Sequence, residues 1–327
     1  GLGDVYKRQL SVALRGLDGT VVEVETEVGR GLPAFVIVGL PDSSTLQARE
    51  RVRGACNHVG HRVADRRLTV NLTPAWIPKQ GSGFDVAIAM SALASLGVIK
   101  AERIAPIVFL GELTLDAGVR PIPGVLPSLM AVAKAGVSTA VVPAENLAEA
   151  QLVPGIDVIP IAHLADAVEH FGGRAAKQAT VPRFVHAHDN APATPPRTHG
   201  LHGDFGDVVG QEQGIAAAEI AAAGGHHLLM TGPPGAGKTM IASRLPSILP
   251  ELDDDTALEL SAVASVSGTF HARAGLVRTA PYVAPHHTAS VPSIIGGGSG
   301  IAGPGAVSRA HGGILFLDEL GETKHTS

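Results

Sequence analysis

Gly232-Pro-Pro-Gly-Ala-Gly-Lys-Thr239 has the residue types and spacing of a phosphate-binding loop. Glycines at these positions let successive backbone N–H groups turn inward around a polyphosphate, and a helix N-terminus behind them adds to the attraction. In this reading Gly232, Pro233, Pro234, Gly235, Ala236, Gly237, Lys238, Thr239 and Met240 line a nucleotide site. Lys238 reaches the β- and γ-phosphates and takes part in the chemistry, and the Thr239 hydroxyl ligates Mg²⁺. The alternative is a chance glycine-rich turn, against which all eight positions and both flanks count.

A second element belongs with the first. The apolar run Ile314-Leu-Phe-Leu317 ends in Asp318 and Glu319, the form of a Walker B strand. Asp318 is expected in the Mg²⁺ shell, directly or through water. Glu319 is placed to orient and polarise an attacking water, so Glu319 and Lys238 are the catalytic candidates. A core strand that merely ends in an exposed acidic turn is the alternative. The carboxylate after Asp318 favours hydrolysis of ATP over binding alone.

These residues need a strand before the loop and a helix after it. His227-Leu-Leu-Met-Thr231 reads as that strand and Met240-Ile-Ala-Ser-Arg-Leu245 as that helix. Farther upstream, residues 10–175 alternate short apolar strands with helices. Val21–Val28, Ala34–Val38, Leu68–Leu72, Ile107–Leu110 and Thr139–Val142 read as strands. Ser43–Val59, Val125–Ala135 and Leu147–Val153 have helical patterns, and Asp85–Leu96 reads as a buried helix because apolar residues cover most of its faces. An α/β domain is expected here. Residues 176–203 carry Pro182, Pro192, Pro195 and Pro196 without apolar periodicity, and read as a flexible linker. The histidines in it, His186, His188, His199 and His202, are read as solvated linker ahead of a metal site. A second domain is expected over 204–327.

Composition narrows the class. A length of 327 residues suits two domains. One cysteine, Cys56, excludes an internal disulfide and a cysteine-rich metal site. With no long apolar run and no signal-peptide pattern, no membrane partner is indicated, and the cytoplasm is the expected compartment. A net charge of −5 excludes coating of nucleic acid by bulk positive charge. It leaves room for a local patch of Arg49, Arg51, Arg53, Arg62, Arg66 and Arg67, with His58 and His61 between them. That patch reads either as a nucleic-acid surface or, since Glu50 and Asp65 interrupt it and no aromatics accompany it, as a solvated helix and turn.

Gly225–Thr239, Ala284-Pro-His-His-Thr288, Gly296-Gly-Gly298 and Gly313–Leu320 resemble the magnesium-chelatase-type AAA+ ATPases. Gly31–Asp42, Ser44–Arg53 and Gly81-Ser-Gly-Phe-Asp85 are similar to the YifB/ComM subfamily, and both halves follow its order from Leu10 to Leu320. The resemblance implies an α/β fold: a Lon-protease-like (ribosomal S5 domain 2-like) domain, then the first part of a P-loop AAA+ domain. Asp207-Val-Val-Gly-Gln211 is similar to the AAA+ entry segment beside the adenine. About 75 residues separate the loop from the Walker B run, and the excess over 268–284 and 294–300 suggests an inserted hairpin and loop. Pro285–Thr288 within it is read as a contact with a neighbouring subunit, DNA or substrate. The implied activity is that of a motor, hexameric when complete, that couples ATP hydrolysis to branch migration of DNA in natural transformation. A chelatase-like motor driving metal insertion and a nucleotide-switched scaffold are the alternatives. The Lon-like half favours the first, since chelatase motors lack it.

Lon-type proteolysis needs a serine activated by a lysine. Aligned on Lys79-Gln-Gly-Ser-Gly83, the serine position is Gly83, with Ser82 one residue away. Aligned on Arg120-Pro-Ile-Pro-Gly-Val-Leu-Pro-Ser128, the lysine position is Ser128, and Lys134 lies in another register. The domain is therefore expected to be non-proteolytic. Residues 1–9 do not resemble the subfamily's start and read as non-native. The sensor residue, arginine finger and helical lid are expected beyond Ser327, so these 327 residues should bind ATP and turn it over slowly.

Overall fold

Alternation along β2 (Asp18–Gly29) sends Val22, Val24 and Thr26 to a buried face while Glu23 and Glu25 stay partly exposed. The computed structural model describes residues 8–39, 41–176, 203–286, 288–297 and 303–318. These fall into two units, 1–191 and 192–327. In the first, β2 pairs antiparallel with β1 (Arg8–Arg15) on one side and with β4 (Arg67–Thr73) on the other. β3 (Ala34–Val38) lies parallel to β4 at the edge. On the far side of β1, β5 (Val108–Phe109), β8 (Thr139–Pro143) and β9 (Asp157–Ile161) add in parallel. The seven-stranded order is β3-β4-β2-β1-β5-β8-β9. A small hairpin of β6 (Glu112–Leu113) and β7 (Val119–Arg120) stands apart from it.

Arg8 and Gln9 belong to this sheet. Arg8 pairs with Glu25 and its guanidinium contacts Glu23 at 3.3 Å and Glu25 at 2.6 Å, so the strand begins before Leu10. Residues 1–7 of the segment read as a non-native start lie outside the described residues.

Helix α1 (Ser43–His58) starts where the Asp42 carboxylate accepts the Thr45 N–H at 2.7 Å. Helix α2 (Asp85–Ser95) is buried at ten of its positions, and the Ser91 hydroxyl donates to the Val24 carbonyl on β2 at 3.2 Å. α3 (Val125–Lys134), the short α4 (Leu147–Ala150) and α5 (Leu164–His170) complete the unit. Gly39 shows how closely the chain passes itself: with φ at +99°, a β-carbon there would lie 2.1 Å from the Leu72 carbonyl oxygen. Among the described residues no helix is long and apolar enough to cross a membrane.

Cys56 lies on the inner face of α1 with no exposure, and burial pushes its thiol up to about 12. The thiolate is the reactive form. A disulfide reagent is therefore expected to leave Cys56 untouched in the native chain and to react stoichiometrically in denaturant. Rapid labelling of the folded protein would contradict this packing.

The second unit holds α6 (Glu212–Gly224), α7 (Lys238–Arg244) and α8 (Asp254–Val266). Beyond them come β10 (Tyr282–Val283), α9 (Val291–Ile295), β11 (Gly296–Gly297), β12 (Gly303–Pro304), α10 (Ala306–Arg309) and β13 (Ile314–Leu315). β11 and β12 pair antiparallel, Gly296 with Pro304 and Gly297 with Gly303, and residues 298–302 lie outside the described residues. Residues 177–202, with the four linker histidines, lie outside the described residues.

Candidate functional site

Helix α7 begins directly at Lys238 because Gly237, with φ at +81°, turns the chain into it. Gly235 also has positive φ, at +78°, and the Ala236 N–H donates to the Pro233 carbonyl at 3.2 Å. L-residues with side chains rarely adopt these angles, which accounts for glycine at both positions. The Lys238 ammonium folds back over the loop, donating to the Gly232 carbonyl at 2.9 Å and the Pro233 carbonyl at 3.1 Å. The loop thus already gathers a cation at its mouth, and residues of this kind suit a polyphosphate. Thr239 lies exposed on the first turn of α7.

Phe205, Val208, Ala218, Ile241 and Leu245 form a buried cluster beneath the loop, with Leu228, Met230, Met240 and Ile314 packed against it. This one cluster holds the residues before the loop, the helix after it and the start of the Walker B run. Gln211, just before α6, is a neighbour that the motif alone does not name as a site residue. A β-carbon on Gly237 would lie 3.7 Å from its Nε2. The likeness of Asp207–Gln211 to the AAA+ entry segment already pointed to this place, and Gly214, three residues on, packs so closely on Ile241 that a β-carbon would stand 2.7 Å from Cδ1.

The expected strand His227–Thr231 does not form a ladder among the described residues. Leu228 and Met230 turn toward the cluster while Leu229 is 81% exposed, an alternation of the right period with no neighbouring strand to pair. The Walker B strand is likewise shorter than read: Ile314 and Leu315 pair parallel with Tyr282 and Val283, and the Phe316 N–H donates to the Val283 carbonyl at 2.9 Å. Gly313 allows that approach, since a β-carbon there would meet the Pro281 carbonyl oxygen at 2.3 Å. Asp318 follows, exposed, and burial, with the charge of Asp318 adding to it, pushes the Tyr282 phenol up to about 12. Glu319 lies outside the described residues. In the loop at 285–288, His286 Nδ1 contacts the Thr288 hydroxyl at 2.8 Å, a local turn contact, and His287 lies outside the described residues.

The Lon-type positions in the first unit are held by other partners. The Ser82 hydroxyl donates to Glu112, and the Ser128 hydroxyl donates to the Gly124 carbonyl at 2.7 Å. Lys79 is buried, its ammonium donates to the Pro74 carbonyl, and burial lowers its pKa. Lys134 is exposed on the last turn of α3. The arginine patch also divides. Arg51 makes a double contact with buried Asp85, whereas Arg49 and Arg53 both turn to Glu50.

Residues 204–327 match the family described as magnesium chelatase, subunit ChlI, and residues 24–146 match subunit ChlI of Mg-chelatase. An uncharacterised protein of Mycobacterium tuberculosis is 46% identical over 315 residues, covering 96% of this chain and 60% of that protein. The uncharacterised protein YifB of Escherichia coli is 37% identical over 310 residues, covering 95% and 58%. Competence protein ComM of Haemophilus influenzae is 36% identical over 324 residues, covering 98% and 60%. A shorter match, to Lon protease 2 of Bacillus subtilis, is 34% identical over 142 residues and covers 36% of this chain and 22% of that protein. The chain thus spans about 60% of the length of the relatives it matches along nearly its whole extent.

Proposed function

We propose, from the premise that this chain belongs to the magnesium-chelatase (ChlI) family of AAA+ proteins in its YifB/ComM branch, that it is the ATP-dependent motor part of a DNA-remodelling machine. The observation that carries the reading is the loop itself. Its two positive-φ glycines open directly into α7, with the Lys238 ammonium held across its mouth. Backbone groups from Gly232 to Thr239, with Met240 behind them, would hold the triphosphate, and Lys238 would take its β- and γ-oxygens. Thr239 and Asp318 would hold Mg²⁺, which when bound screens the phosphate charge and fixes its geometry. Glu319 would accept the proton of the attacking water.

The relative named competence protein ComM supports a role with DNA, and branched DNA is the substrate we infer. A homo-oligomeric ring, hexameric at full length, is the assembly we infer, acting in the cytoplasm. The 327 residues alone would bind ATP and turn it over slowly.

The test is movement of a synthetic four-way junction by this protein at the full length of its relatives, with and without ATP. ATP-dependent exchange of the junction arms is expected. No movement, with ATP-dependent metal insertion into a porphyrin instead, would transfer the reading to the chelatase type; ATP binding without either activity would leave a nucleotide-switched scaffold.

A further inference from the structure

Arg30, Arg62, Arg66 and Arg67 form a cationic corner on the first unit that nucleotide chemistry does not use. Sheet register gathers them. β2 ends at Gly29, which pairs with Arg67 at the start of β4, and β3 begins at Ala34 opposite the same residue. The Ala34 N–H donates to the Arg66 carbonyl at 3.2 Å. The Arg67 stem runs along Gly29, where a β-carbon would lie 3.4 Å from its Cδ, and its Nη1 lies 3.8 Å from the same position on Gly31. Arg30 sits between those two glycines. Arg62 precedes the short turn Val63–Asp65 that leads into Arg66.

All four are exposed, and among the described residues none is in an ion pair. That sets them apart from their neighbours. Arg8 is held by Glu23 and Glu25, Arg49 and Arg53 by Glu50, and Arg51 by Asp85. Asp65 and Glu27 are the acidic residues nearby in sequence, and they leave the corner positive.

We propose that this corner grips the phosphate backbone of duplex DNA, an inference that rests on the DNA-remodelling reading for its choice of partner. Guanidinium groups without carboxylate partners present planar donor forks that match phosphate oxygens in pairs. The chain carries a net charge of −5, so attraction to phosphate has to come from local clusters such as this corner and not from the surface as a whole. Phe35, the aromatic in these segments, is buried in the core, so the corner offers no platform for stacking bases. Contacts of this kind position a duplex without reading its sequence.

The experiment is fluorescence anisotropy of a labelled duplex with the 327-residue chain over a series of salt concentrations. The triple variant Arg30→Ala, Arg66→Ala, Arg67→Ala is compared with Arg49→Ala, Arg53→Ala. Each lost phosphate contact lowers the slope of log affinity against log salt by about 1. The triple variant is expected to flatten that slope by about 3 and to weaken binding at least ~10-fold at low salt. The Arg49, Arg53 pair is expected to leave both unchanged. Unreactive Cys56 in the triple variant confirms that the fold is kept. Equal binding by the triple variant and the parent would overturn the corner while leaving DNA as partner. A parent chain that binds no duplex overturns the corner too, and junction movement at full length then decides the wider reading separately.

Discussion

Replacing Arg51 by alanine is expected to destabilise the first unit by about 3–5 kcal/mol, the loss found when one partner of a buried ion pair is removed. Arg51 Nε and Nη2 donate to the two Asp85 oxygens at 2.6 and 3.0 Å, and the Leu113 N–H donates to the same carboxylate at 3.1 Å. The pair therefore joins α1, α2 and the β6 hairpin at one point, with the Asp85 side chain fully buried and that of Arg51 19% exposed. Without the guanidinium, Asp85 is an uncompensated charge in the core. The protein carries its own probe of this loss. Cys56 lies on α1 in the same core and is the chain's single cysteine, so its labelling reports opening of this unit alone. Roughly 200- to 5,000-fold faster labelling corresponds to the expected destabilisation.

The effect has a pH dependence of defined sign. Burial pushes Asp85 from 3.8 up to about 6, against the opposing pull of Arg51. An acid whose pKa is higher folded than unfolded favours the folded state most where it is protonated. That contribution is lost as pH rises from about 4 through about 6. Removing Arg51 removes a downward pull, so Asp85 rises further. The deficit of Arg51→Ala is then largest near pH 8 and partly recovered near pH 5, where Asp85 takes a proton. Urea melts at the two pH values measure this. An equal deficit at both, or a loss below about 1 kcal/mol, would mean that Asp85 is not the buried charge that Arg51 compensates.

Some of this was legible in the sequence and some was not, for reasons that particular residues make plain. The turn at 232–239 was legible because its shape rests on backbone angles that glycine alone supplies cheaply, so residue type and conformation coincide at Gly235 and Gly237. Helix α2 was legible because a helix buried on all sides must be apolar on all sides. Strand β1 was not, because Gln9 and Ser11 occupy its buried face and invert the pattern a half-buried strand usually shows. β9 was missed as well: Pro160 interrupts it, which an edge strand tolerates and a central one does not. The arginine patch misled because charge in sequence does not say where the counter-charge is. Asp85 is 34 residues from Arg51, so only the fold reveals that one arginine belongs to the core and that Arg30 joins the others.

Lys238→Ala and Glu319→Gln are expected to fail at different steps, and the difference tests the division of labour proposed for the ATP site. Lys238 bonds the Gly232 and Pro233 carbonyls across the loop and so braces it, and in the proposed site it would also supply charge to phosphate. Charge-assisted hydrogen bonds contribute about 1.5–3 kcal/mol each. Loss of one weakens ATP binding about 10- to 150-fold, which titration of the 327-residue chain with a fluorescent ATP analogue will measure. Glutamine at 319 keeps the shape of glutamate and its ability to hold a water, but it cannot take a proton. Nucleotide affinity is therefore expected to remain, while phosphate release by the protein at the full length of its relatives falls about 10²- to 10⁴-fold. Retained binding with lost turnover is what a base produces and what a phosphate or Mg²⁺ contact does not. If Glu319→Gln lost nucleotide as Lys238→Ala does, the carboxylate would belong to the binding set beside Asp318. If turnover survived it, the proton would leave by another route, and the run from Ile314 would be a strand that carries one functional carboxylate and not two.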